Sequence, residues 1–137
     1  MAVPHTRPVI APMLIVPNGA EASEWYKKVL GAKERFRVGD GHLCALDVDG
    51  AALFIREETP PGDVSPGAVG NANTACVELF VADPDAVVDR ARQAGATHTH
   101  MEDHERSWGR HRQGGFTDPW GHGWLVGDHS PLTVPPR

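Results

Sequence analysis

The sequence predicts an α+β fold built from one βαβββ unit used twice. Three observations carry this. An apolar strand running into a capped amphipathic helix occurs near the start of the chain and again from about residue 74. Each helix ends in Gly-Ala, at Gly31-Ala32 and Gly95-Ala96, and further strand patterns follow each. Between the copies, residues 57–73 are rich in Pro, Gly and Asn and read as a linker.

In chain order, residues 9–16 (VIAPMLIV) have the continuous apolar character of a buried strand. Asn18 with Glu21 three residues on resembles a capping box, and Gly31 stands where a left-handed helix cap is wanted. Ala22, Trp25, Tyr26, Val29 and Leu30 fall on one helical face, which is read as core. Strands follow over 33–38, 42–48 and 51–56, the last two joined by Asp49-Gly50. The second copy has a strand over 74–81, then a helix with Asp83 as N-cap, Pro84 at its first position and Gly95 as its stop. Its later strands are read over 97–102, 113–117 and 122–127, with a turn at Asp118-Pro-Trp-Gly.

At 137 residues, the expectation is a single domain, 1–137, with half-modules of about 9–56 and 74–127. Hydrophobic residues at 40% and charged residues at 23% exclude a disordered or membrane-spanning class. The N-terminal MAVPHTRPV lacks the apolar core of a signal peptide, so a cytoplasmic location is expected. A net charge of −5 argues against a nucleic-acid partner. Cys44 and Cys76 have no ligand-type spacing and are expected to be buried, reduced thiols. One helix covers only one face of a sheet. The other face must meet solvent, a partner or a ligand.

The Trp25-Tyr26 pair followed by KKVLGA, ADPDA opening the second helix, QAGA closing it, and WGR with DPWGHGW near the end together resemble the vicinal-oxygen-chelate superfamily, which groups glyoxalases, bleomycin-resistance proteins and dihydroxybiphenyl dioxygenases. The match runs over nearly the whole chain. The resemblance implies paired βαβββ modules forming an incomplete barrel around a cleft, commonly completed in a homodimer. It also implies one of two kinds of protein: metal enzymes, among them thiol transferases that open fosfomycin, or metal-free binders that sequester antibiotics such as bleomycin.

In the metal enzymes the ligands come from the first and last strand of each module. The internal repeat locates the corresponding positions here: Met13 and Glu78 lie five residues before the two N-caps, and Phe54 and Leu125 lie four residues after Gly50 and Gly121. Zinc or iron wants at least three His or carboxylate ligands. These positions offer one, and shifting the register by a residue adds none. No metal and no cofactor are therefore expected. His98 and His100, with His104 and His111 nearby, leave two readings open, a solvated edge strand or a separate metal site.

What remains is an apolar cleft with one carboxylate. Alternation places Ile15, Arg56 and Phe80 on the same faces as the four positions, and Phe36 is a further aromatic candidate. Phe54 and Phe80 either offer stacking surface or fill a closed core; Glu78 either anchors a ligand or pairs with Arg56. The second module is longer: Gly31 to Gly50 is a step of 19, Gly95 to Gly121 one of 26, and the extra residues fall around MEDHERSWGRHR, where Trp108 is a candidate stacking lid or a contact at a strand end. The function expected is metal-independent binding and sequestration of an aromatic small molecule or peptide antibiotic, of the bleomycin or thiocoraline/quinoxaline kind. The alternative is a lyase or isomerase of the same fold using Glu78 as general base.

Overall fold

Both helices begin where the sequence supplies an acceptor side chain. In the computed structural model, which describes residues 8–107 and 109–128, α1 (Gly19–Leu30) opens at Asn18, whose side chain accepts from the Glu21 amide at 2.9 Å, and closes at Gly31 with φ 68°. Helix α2 (Pro84–Gln93) opens at Asp83, which accepts from the Ala86 amide at 3.1 Å. The orphan amide of Gly19 at the start of α1 donates to the Glu57 carboxylate at 3.0 Å, which fastens the helix to the last strand of its own module.

Module one forms a sheet from β1 (Met13–Val16), β2 (Lys33–Val38), β3 (Leu43–Val48) and β4 (Ala51–Glu57), ordered β1-β4-β3-β2. Module two repeats this with β5 (Cys76–Phe80), β6 (Thr97–Arg106), β7 (Gly109–Thr117) and β8 (Gly123–Gly127), ordered β5-β8-β7-β6. In each, the first strand lies parallel to the last and the other neighbours are antiparallel. Neither sheet closes into a barrel among the described residues.

Two elements differ from their sequence reading. The first strand starts at Met13 and not at residue 9, because its partner β4 meets it only from Phe54 onward and Pro12 has no N–H to donate. Val9 and Ile10 ahead of it are exposed, at 63% and 97%. The extra residues of module two lengthen the β6–β7 hairpin, giving strands of 10 and 9 residues where β2 and β3 have 6 each. Opposed charges hold this extension: Asp103 faces Arg112 and Glu105 faces Arg110 across the ladder, and Arg112 also grips Asp85 of α2 at 2.7 and 2.8 Å. Paired charges leave no apolar alternation, so the pattern that marks strands elsewhere is missing here.

The helix-facing sides of both sheets share one apolar cluster, including Leu14, Val16, Ile55, Tyr26, Val29, Phe116, Trp124 and Val126. Burial of each large side chain contributes roughly 1.5–3 kcal/mol. Asp118 of the DPWG turn is 3% exposed and joins the modules. Its carboxylate accepts from the Tyr26 hydroxyl of α1, the Trp124 indole at 3.0 Å, and the backbone amides of Trp120 at 3.1 Å and His122 at 3.0 Å. A buried carboxylate is tolerated when donors surround it. Burial, and then the neighbouring Asp118 charge, push the Tyr26 phenol well above its ordinary pKa. Trp25 of α1 adds a bond to the Ala94 carbonyl at 2.7 Å, and Arg90 one to the Val29 carbonyl at 3.0 Å. No helix among the described residues is long and apolar enough to cross a membrane.

Candidate functional site

Strand alternation gives each sheet one face against the helices and one facing away. On module one, register places Met13, Phe54, Ala45 and Phe36 in one row across the four strands, and Ile15, Arg56, Leu43 and Val38 in the next. Apart from Arg56, this face is apolar, and much of it is uncovered: Met13 is 47%, Phe36 49% and Val38 49% exposed. Phe36 and Phe54 meet edge-on with ring centroids 6.5 Å apart. Neither ring belongs to the shared core.

On module two the matching row runs Glu78, Leu125, Gly115 and His100. It is flanked by Cys76, Gly123 and Thr117 on one side and by Phe80, Gly127, Gln113 and Glu102 on the other. Phe80 lies against Gly127, with ring carbons 3.4 Å from where a Cβ would stand. Glu78 is exposed and has no hydrogen bond or ion pair among the described residues. Glu102 lies between two imidazoles, His100 Nδ1 at 2.5 Å and His104 Nε2 at 3.1 Å, and the hydrogen bond from His100 holds its carboxyl below the usual range.

The pairing of Met13 with Phe54 and of Glu78 with Leu125 puts the four positions inferred from the repeat side by side in corresponding places. The donor set there is one carboxylate, a thioether and two hydrocarbon side chains, which does not fit zinc or iron. Among the described residues no group of three or more His, Cys, Asp or Glu side chains is arranged to hold a metal ion. The histidines of β6 lie on an edge strand, and pairing there skips from Thr97 to His100, with His98 at φ 51°.

Two contacts weighed in the sequence are different in the fold. Arg56 does not pair with Glu78; it takes Asp63 of the linker, and its guanidinium holds that carboxyl below its ordinary range. The linker folds back at the Thr59–Asp63 bridge and so brings the nearer partner. Cys44 is buried as expected, but Cys76 is an exposed thiol, because it begins β5 on the open face. Trp108 lies outside the described residues. Val38 and Leu43 also line the open face of module one and were missed, and His100, weighed in the sequence only as an edge-strand or metal residue, lines that of module two. Alternation from Phe36 would have found Val38, whereas Leu43 and His100 needed the cross-strand register.

Two hollows share Cys76 and Gly123 on their borders. One, of about 400 Å³, follows the seam between β1 and β5 and is bordered by Met13, Ile15, Val64, Asn73, Cys76 and Gly123. The other, of about 250 Å³, sits on module two between Cys76, Gly123, Leu125, Thr117, His98 and His100. Beside the seam, His122 Nε2 lies 2.7 Å from the Ile15 carbonyl and ties the two modules together at the base of β1.

Two βαβββ modules packed on one core that includes both helices define a fold class of doubled half-modules. The chain belongs to the Glyoxalase/Bleomycin resistance protein/Dioxygenase superfamily, whose profile matches residues 3–126. It is 34% identical to an uncharacterized protein of Mycobacterium bovis, over 90% of this chain and 84% of that protein, and 34% identical to one of Mycobacterium tuberculosis, over 90% and 75%. Among solved structures it is similar to TioX from Micromonospora sp. ML1, with 25% identity, a TM-score of 0.64, and coverage of 90% of this chain and 100% of that one. The fosfomycin resistance protein FosX from Listeria monocytogenes shares the fold, with a TM-score of 0.65 at 13% identity over 93% and 98% of the two chains.

Proposed function

We propose that this protein binds and sequesters a planar aromatic natural product, such as a bleomycin-type or quinoxaline-type peptide antibiotic, without a metal at the family's ligand positions. The observation that carries this reading is the residue set at the four paired positions: Met13, Phe54, Glu78 and Leu125 supply apolar surface and one unengaged carboxylate. Aromatic stacking on Phe54 and Phe36 contributes roughly 0.5–1.5 kcal/mol per ring pair beyond area burial. Glu78 is free to accept a hydrogen bond from a ligand N–H or O–H. The family's name includes bleomycin resistance proteins, which fits the same reading.

The site is completed, in this reading, by a second copy of the chain. Exposed apolar area of the kind formed by Met13, Phe36 and Val38 favours coverage by ligand or partner. Sedimentation is expected to give a dimer.

Four tryptophans supply the readout. Fluorescence titration with bleomycin and with thiocoraline is expected to show saturable quenching by at least one of them, with no stoichiometric metal in the purified protein. Flat titrations with both, or one equivalent of zinc, iron or nickel per chain, would overturn the proposal.

A further inference from the structure

Gly123 is a glycine that the fold itself does not require. At Gly114 and Gly115 an added Cβ would stand 1.8 Å from the His100 carbonyl oxygen and 2.1 Å from that of Trp124, so close strand packing excludes any side chain there. Gly121 has φ 96°, a conformation that favours glycine. Gly123 shares neither constraint. Its backbone lies outside the left-handed region, and the nearest atom to an added Cβ is the Cys76 Cβ at 3.7 Å, an ordinary contact. Glycine loses more conformational freedom on folding than any other residue and packs nothing. The chain therefore keeps, at the start of β8, a residue that costs backbone entropy and relieves no clash.

The location of Gly123 supplies the reason. It pairs with Cys76 on the open face of module two, and these two residues border both hollows, the seam of about 400 Å³ and the module-two hollow of about 250 Å³. Their walls differ in chemistry. The seam combines Met13, Ile15 and Val64 with Asn73, Thr74 and His122, while the other hollow has Phe116, Trp124 and Leu125 beside His98 and His100. We infer that one elongated, planar ligand occupies both hollows, crossing the sheet over Gly123 with a hydrogen-bonding end toward the imidazoles of His98 and His100, so that Gly123 sets the thickness the site admits. This rests on the binding function proposed above and specifies the ligand's shape and polarity.

Cys76 allows a test that needs no knowledge of the natural ligand. Its exposed thiol flanks the crossing point, while Cys44 is buried. Cys76 is labelled in the parent with iodoacetamide, which is small, and with N-(1-pyrenyl)maleimide, which is wide and flat, Cys76→Ser serving as the blank. In Gly123→Val the pyrene reagent is expected to react about tenfold more slowly, because the added side chain narrows the passage for a wide, flat ring system, and iodoacetamide to stay within roughly twofold. Gly123→Ala, which adds a methyl group where space is present, is expected to slow the pyrene reagent less, with an unchanged melting temperature, and it stands in if the valine variant does not fold. Equal pyrene rates in parent and variants, or equal slowing of both reagents, overturns the inference. In parallel, Gly123→Val is expected to weaken thiocoraline binding about tenfold and leave quinoxaline-2-carboxamide, short enough for one hollow, unaffected; equal effects on both ligands also overturn it. If the parent binds neither thiocoraline nor bleomycin, the sequestration reading falls, and the labelling rates still decide whether Gly123 holds a passage open.

Discussion

On the first sheet the open row reads Met13, Phe54, Ala45, Phe36; on the second the same positions hold Glu78, Leu125, Gly115, His100. One face is a bare apolar wall and the other a shallow, glycine-rich floor with polar edges. The helix-facing positions of the same strands have not parted in this way. Leu14 corresponds to Leu79, Leu53 to Trp124 and Ile55 to Val126, and all of them pack in or against one core. The difference teaches that packing holds the inner faces of a repeat to one chemistry, since each must fill space beside a helix. The outer faces answer to whatever binds there. The ligand proposed above would find stacking surface on one face and hydrogen-bonding groups on the other.

The largest effect is expected where the two modules are joined. Asp118→Ala strands the Tyr26 hydroxyl and the Trp124 indole in the core and should destabilise the protein by about 3–5 kcal/mol, read by urea unfolding. A loss below about 1 kcal/mol would mean that the faces are held in one chain by other contacts. Tyr26→Phe removes one of the four donors and should cost about 1–3 kcal/mol. Its pH signature is specific. The phenol's pKa is raised in the folded protein above its ordinary value of 10.0, so the unfolded chain loses its proton first. The stability this contributes is intact below pH 10 and lost as pH rises above it. Melting temperature should therefore fall more steeply above pH 10 in the parent than in Tyr26→Phe.

Substitutions on the open faces should separate binding from stability. Phe54→Ala is expected to weaken binding of the quenching antibiotic about tenfold, through lost stacking and apolar contact. Its half-buried ring should cost less in stability than a core aromatic would. Glu78→Gln is expected to weaken binding about three- to tenfold, as loss of one charge-assisted hydrogen bond does, with an unchanged melting temperature, because no described residue bonds to Glu78. Unchanged affinity would remove Glu78 from the site. Asp63→Asn should have the smallest effect, none on melting temperature, since the pair with Arg56 is solvent-accessible. A change in antibiotic affinity in that variant would show that the linker takes part in the module-one face.

Much of this was legible in the chain because the informative signals are local. Asn18, Gly31, Asp83 and Pro84 mark helix ends through bonds and conformations that reach only three or four residues. Met13, Phe54, Glu78 and Leu125 could be placed by counting from those marks, since a strand has a period of two and the two copies share their spacing. The lengthened β6–β7 hairpin was not legible, since ion pairs between Asp103 and Arg112 and between Glu105 and Arg110 replace the apolar alternation that announces a strand. The early end of the first strand was hidden for another reason: Val9 and Ile10 have strand composition but no neighbouring strand to bond to.

The sequence alone determined the doubled βαβββ unit, the caps of its helices and the chemistry at the four paired positions, because each depends on periodicity and near neighbours. The tertiary structure alone decided that Arg56 takes Asp63, that Cys76 is exposed, that Asp118 ties Tyr26 to Trp124, and that Gly123 stands open between two hollows. Those facts depend on which distant residues the folded backbone brings within a few ångströms, and spacing along the chain carries no record of that.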